Sequence, residues 1–426
     1  MLFSLYTIKE QLTLIALLGG LCLGLACCSS ANNTMAPTPA GQFESDLAFL
    51  RQHTEVVVLT EPSGTAQVVV APGYQGRVMT STIGGAGAPS FGWIGRAAIA
   101  SGDKQPHMNV FGGEDRFWLG PEGGQYSLFF KAGDPFDLDH WQVPEAIDWG
   151  KWDVSDQTPA AARFRKRMTL RNYSATEMEI DVDRTVRLLS GADVANYLGQ
   201  TPGNAVRTVA FESSNTVTNA GNVRWQQNSG LVSAWILGMF APSAETTIAI
   251  PYASGPEPLL GPIVNDKYFG KVPDDRLRIT GSVILFKGDG QYRAKIGLTP
   301  SRALSVAGSY DSTGHVLTLV QFTKPAGESP YVNSMWEIQR EPYKGDVINS
   351  YNDGPPAPGK PPLGPFYELE TSSPALSLSP GEHYTHVHRT FHLVGPEADL
   401  DGIARTILKV RLTELTNAFG PPRTAR

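Results

Sequence analysis

Past residue 28 the chain has no cysteine. Its three, Cys22, Cys27 and Cys28, all fall at the start of a 426-residue sequence. Nothing downstream can therefore be a disulfide, a thiol nucleophile or a thiolate metal ligand. Charge is sparse, at 18% of residues with a formal net of −6, and no basic stretch is long enough to track phosphates. That excludes nucleic acid as a partner. No fixed-period repeat is present, which argues against propellers and solenoids. Helical periodicity is nearly missing too, confined to Phe43–Thr54 and Asp399–Leu415. Nothing in the sequence calls for a cofactor, and none is expected.

Glycine (44) and proline (32) are abundant, and they punctuate short runs that read as strands. These include "EVVVLT", "GRVMTSTI", "QYSLFFKAG", "RTVAFESSNTVTNAG", "SVILFKG", "SMWEIQ" and "HYTHVHRTFHL". In "EMEIDVDRTVRLL", Met178, Ile180, Val182, Val186 and Leu188 alternate with charged residues. One dry and one wet face is the mark of antiparallel sheet. The expectation is an all-β fold, a large antiparallel β-sandwich with short terminal helices. A single domain is expected over 43–415, with a tail over 416–426. The proline-dense "YNDGPPAPGKPPLGPFYE" reads as a loop inside it.

The start of the chain reads as an address. The apolar run Leu12–Ala26 ends in small residues, as a signal peptide over 1–26 should. "LGLAC" resembles a bacterial lipobox, which makes Cys27 the lipidated residue and 27–42 a flexible tether. The expectation is an outer-membrane lipoprotein facing the periplasm or the cell surface, with plain secretion or a retained anchor as alternatives.

Four stretches carry candidate chemistry. "GGEDRFWLGPEGG", Gly112–Gly124, packs acids, an arginine and a tryptophan between glycine turns. Asp115, Arg116 and Trp118 there suit a sugar, since a guanidinium forks to hydroxyls and an indole stacks on a sugar face. The alternative is an internal salt bridge with Trp118 in the core. His107 and Asn109 in "HMNVFGG" share a face if extended and would join them. "GDVINSYNDGP" offers Asn349 and Tyr351 as polyol contacts, with Tyr351 also a proton-handling residue for lyase chemistry; a loop held by Asx turns is the alternative. In "YELETSS", Glu368 and Glu370 lie on one strand face, where each raises the other's proton affinity and suits a general base; a wet outer face is the alternative. In "HYTHVHRTFHL", His386, His388 and His392 face away from Val387, Phe391 and Leu393. A His-x-His strand can hold a metal, but the reading favours a polar face and no metal.

Three stretches together resemble the galactose mutarotase-like superfamily, the supersandwich of aldose 1-epimerases. They are "VVVAPGYQGRVMTSTIGG" with "SFGWI", then "GGEDRFWLGPEGG", then "YELETSSPALSLSPGEHYTHVHRTFHL". The resemblance runs from about Thr54 to Leu393 and lies nearest a bacterial lipoprotein branch without an assigned activity. It implies a carbohydrate ligand and Glu370, in "LET", as catalytic base. It also implies a mid-chain histidine as acid, but the matching "SAWILGMFAPS", Ser233–Ser243, has none. His388 or His386 is therefore expected to stand in. The expected protein is an envelope carbohydrate-active one, epimerase-like with a Glu base. The alternatives are a non-catalytic carbohydrate-binding lipoprotein, or a lyase or hydrolase. Arg116, Glu370 and His388 should then line one pocket, with Asn349 or Tyr351 at its edge.

Overall fold

The computed structural model describes residues 43–84 and 87–420. The apolar run, Cys27, the tether and the last six residues lie outside them. Among the described residues eighteen strands form three antiparallel sheets, as the alternation of dry and wet residues implies. A ten-stranded sheet runs in the order Leu277–Ile279, Val283–Lys287, Thr246–Pro251, Val306–Asp311, Val316–Phe322, His383–Val394, Arg207–Asn219, Glu177–Leu188, Ala161–Arg171, Asp153–Gln157. A five-stranded sheet runs Ala294–Leu298, Ile348–Asn352, Tyr367–Ser372, Ser233–Phe240, Arg116–Gly120. A three-stranded sheet holds Val57–Thr60, Gln67–Ala71 and Arg77–Thr82.

Two of these sheets make the sandwich. Ile296, Ile348 and Leu369 of the five-stranded sheet pack on Ile250, Phe286 and Val320 of the ten-stranded one. Farther along, Phe117 and Ile236 meet Phe164, Ile180 and Val182. The other face of the ten-stranded sheet is also covered. Leu319, Phe391 and Leu393 lie under Leu400, Ile403, Leu412 and Leu415. The strand His383–Val394 is thus buried on both sides along much of its length.

The structure departs from local expectation in four places. The C-terminal pattern forms two helices, Glu397–Ile407 and Leu412–Thr416, because Lys409 takes a left-handed φ of 60° between them. Residues 125–133 and 334–339 are turns and loops, not strands. Their aromatics serve another purpose: Phe129 stacks with Trp141, and Phe130 meets Trp336 edge-on. A helix without a sequence expectation, Gly191–Leu198, is opened by Ser190 and Asp193 in a reciprocal capping box.

Candidate functional site

Strand register builds the site. In the five-stranded sheet, Gly297, Asn349, Glu370, Leu237 and Arg116 are successive cross-strand partners, and Lys295, Tyr351, Glu368 and Met239 form the next row. Trp118 pairs with Trp235 on the same face. Directly paired residues in an antiparallel sheet point the same way. Polar and aromatic side chains from five strands therefore gather on the face turned away from the sandwich core. Segments between strands cover it: Met108 reaches Arg116, Trp141 meets Trp118, and Tyr268 meets Asn349.

The carboxylates are deeply held. Glu370 Oε2 accepts from Trp235 Nε1 at 2.9 Å and from Lys295 Nζ at 3.1 Å. Its other oxygen, Oε1, is buried and has no protein partner. Glu368 accepts from Arg116 Nη2 at 2.9 Å, and the guanidinium carbon lies 4.0 Å from the centre of the Trp118 ring. Lys295 sits over Trp235 at 4.8 Å. The indole N–H of Trp118 and Nε of Arg116 are also buried without partners. A buried donor or acceptor without a partner costs about 1–3 kcal/mol, so three on one face mark a place where polar groups from outside would be well received.

Charge on this face leans acidic, which sets proton affinities. Burial raises the Glu368 carboxyl above the ordinary range; Arg116 opposes this and Glu370 adds to it. Burial also raises Glu122, with Lys295 opposing and Glu370 adding. Asp353, pushed up to about 6 chiefly by burial, accepts from the Tyr351 hydroxyl at 2.8 Å. Burial lowers the affinity of Lys295 for its proton, but Glu370, Glu122 and Glu368 outweigh it, so the ammonium is retained. Among the described residues no group of three His, Cys, Asp or Glu is placed to hold a metal ion.

Of the residues singled out in the sequence, Arg116, Trp118, Asn349, Tyr351, Glu368 and Glu370 share this face. Asp115 does not. It lies on the opposite side of its strand, where Oδ1 receives Arg184 Nη2 at 2.6 Å with neither side chain exposed. Glu114 also turns inward, to His392 Nε2 at 2.9 Å and to the backbone and hydroxyl of Ser81. The turn at Gly112, φ 82°, brings the chain back so closely that a Cβ there would lie 2.1 Å from the Trp93 carbonyl oxygen. His107 and Asn109 miss the site as well. His107 Nδ1 donates to the Trp141 carbonyl and Asn109 bonds Asp148.

The largest correction concerns His386 and His388. Both face the sandwich interior, fully buried, and both meet Thr371 Oγ1 at 2.9 Å. Thr371 sits one residue from Glu370 and so points to the other face of the sheet. Neither histidine can reach a ligand at Glu370. The apolar side opposite them was the expected core face; it is a core face too, but under the C-terminal helices. What the sequence reading missed is Lys295, Trp235 and Glu122. Trp235 lies in the stretch where the resemblance calls for a histidine, and Lys295 is a lone charge in the strand "AKIGL".

Those histidines make a pH prediction. Burial, with His388 beside it, holds His386 at about 3, and burial holds His388 at about 4, with Asp115 opposing. An unfolded histidine titrates at about 6.5, so on acidification the unfolded chain takes up the protons first. Their contribution to stability is complete above that value and is lost as pH falls, down to about 4 for His388 and about 3 for His386, each histidine removing up to roughly 1.4 kcal/mol per pH unit. The raised carboxyls act with the opposite sign, so a difference measurement is required. Urea unfolding of wild type and His388→Gln across this range should show a shallower loss in the variant. Parallel curves would refute the assignment.

Comparison with known proteins adds fold relatives. The Slr1438 protein from Synechocystis sp. PCC 6803 is 14% identical, with a TM-score of 0.47 over 80% of this chain and 96% of that one. A galactose mutarotase-like protein from Lactobacillus casei ATCC 334 is 12% identical, with a TM-score of 0.45 over 79% of this chain and 100% of that one. The galactose mutarotase related enzyme from Lactobacillus acidophilus is 10% identical, with a TM-score of 0.42 over 79% and 97%. The antiparallel sandwich is the fold class expected, and at these identities no activity follows from the likeness. No curated protein sequence matches the chain. A family model does, over residues 41–419, and the chain belongs to that family, DUF6786, a family of unknown function.

Proposed function

We propose that the tryptophan-lined face around Glu370 binds a sugar and moves a proton on it, in the manner of an aldose epimerase. The observation that carries the reading is the split environment of Glu370. One oxygen is pinned by Trp235 and Lys295, while the other is buried and free to accept. A base so placed takes a proton from a hydroxyl without first breaking a bond of its own. Glu368, one row away with raised proton affinity, is the complementary donor. A carboxyl whose proton affinity burial raises can hold a proton near neutral pH and give it up as the acid. Arg116 and Trp118 orient the ring, and Asn349 lies at the edge.

One observation favours simple binding instead. Trp235 occupies the stretch where the epimerase resemblance calls for histidine, and an indole is no acid. Tyr351 gives its hydroxyl hydrogen to Asp353, which does not suit it as a lyase base. The deciding experiment is anomer exchange followed by magnetisation-transfer NMR on a panel of aldoses with wild-type protein. Accelerated exchange of one sugar supports the enzyme. Saturable binding without acceleration supports the binder. Absence of both sinks the reading.

For the start of the chain we propose cleavage before Cys27 and acylation of that residue, on the strength of the apolar run and "LGLAC". Intact-mass measurement of membrane-fraction protein should give a chain beginning at Cys27 with added acyl mass. A species retaining residues 1–26, or one without acyl chains, would rule it out.

A further inference from the structure

The segment around Met108 has two sides. Met108 turns to Arg116, with Sδ to Nη1 at 3.5 Å. His107 and Asn109 turn the other way, into a cleft of about 600 Å³. A second cleft of about 620 Å³ shares Leu128, Pro144, Glu145 and Arg171 with the first, so the two form one groove. Lys104, Lys131, Lys166, Arg167 and Arg171 line it, against only Glu145 and Asp148. Glu145 is occupied by Lys104 at 2.5 Å, and Arg167 by Glu179 at 2.9 Å. Lys131, Lys166 and Arg171 have no acidic partner among the described residues. At the floor, Asp148 Oδ2 accepts the backbone and side-chain N–H of Asn109, both at 2.7 Å, while Oδ1 is buried and unpartnered. On a chain with a net charge of −6, a groove with three free cations is a local reversal of sign.

We propose that this groove binds an acidic polysaccharide, a linear polyhydroxylated chain bearing carboxylate or sulfate groups. Cations spread along two joined clefts match charges repeated along a polymer, since screening confines each attraction to about 10 Å at ordinary ionic strength. Asp148 Oδ1, whose proton affinity burial raises against the pull of Arg77, shares a proton with a ligand hydroxyl or carboxyl. Of the phenylalanine and tryptophan side chains along it, Phe129 and Phe130 are buried, at 1% and 4% exposed, and only the half-buried Trp149 shows part of a ring. One partly covered ring is not the row of stacking platforms along which single-stranded nucleic acid is held. The choice of a saccharide rests on the sugar reading of the neighbouring Glu370 face, where Met108, within the segment that lines the groove, contacts Arg116.

Affinity electrophoresis of the folded protein tests it, with four probes: oligogalacturonate, heparin-derived oligosaccharide, maltooligosaccharide and a DNA single strand. Wild type should be retarded by one or both acidic saccharides, in a manner weakened by salt, and not by the neutral one. The paired change Lys131→Glu with Arg171→Glu should reduce that affinity at least tenfold. Lys131→Gln with Arg171→Gln should give an intermediate loss at unchanged melting temperature. The carboxylate and sulfate arms decide which anion is preferred. Unchanged affinity in both variants, equal retention by the neutral oligomer, or tighter binding of DNA than of either acidic saccharide overturns the proposal. Glu370→Gln should leave the groove's affinity intact, so failure of the Glu370 reading and failure of this one are separable.

Discussion

Glu370→Gln is expected to hold its sugar within a few-fold of wild type and to lose anomer exchange by about 10²–10⁴-fold, the range a positioned general base contributes. Glutamine keeps the shape and an oxygen for the Trp235 indole N–H, now 2.9 Å from Oε2. What disappears is the lone-pair basicity of Oε1, the oxygen with no protein partner. The loss must therefore fall on turnover and not on affinity, which is how an interaction made only in the transition state behaves. Lys295 still faces Glu122 and Glu368, so the variant should fold. A variant that exchanges anomers at the wild-type rate removes Glu370 from the chemistry. One that loses binding as strongly as turnover makes it a ligand contact only.

Arg184→Met is expected to cost about 3–5 kcal/mol of folding stability, the penalty for stranding one partner of a buried ion pair. The guanidinium is wholly enclosed between the sheets. It donates to Asp115 Oδ1 and O, to the Gly76 carbonyl and to Asn215, and so joins the three-stranded sheet, the strand entry at Asp115 and the ten-stranded sheet. Methionine fills similar space and leaves the Asp115 carboxylate alone in the interior. Urea denaturation should show a lower midpoint at unchanged slope. Adding Asp115→Asn to the same chain should recover part of the loss, because the orphaned charge is then gone. A midpoint within experimental error of wild type would show that the pair is not what joins these elements.

Strand parity was legible residue by residue. The alternation in "EMEIDVDRTVRLL" emerges as the strand Glu177–Leu188, with its even-numbered residues buried. Glu368 and Glu370 share a face because they are two apart, and so do Asn349 and Tyr351. What parity does not reveal is which face meets which neighbour. His386 and His388 form as regular an alternating pair as the two glutamates, yet they point into the sandwich. A sequence pattern that contrasts polar with apolar identifies the core only when one side of the strand is wet, and the strand His383–Val394 is dry on both sides along its second half.

The same limit explains Lys295, Trp235 and Asp115. Lys295 in "AKIGL" reads as a solvent-facing charge, and only the pairing Lys295–Tyr351–Glu368 brings it to the site. Asp115 and Arg116 are neighbours that any local reading keeps together, whereas the strand sends them to opposite faces. The sequence by itself determined the class of fold, the runs of strand and the pairs of residues that share a face, because those follow from steric and solvent periodicity within a few residues. The tertiary structure decided which of those faces became the interior and which charges met. Sheet order joins strands far apart in the chain, Arg116 to Glu368 across 252 residues, and burial then sets the proton affinity of whatever it encloses.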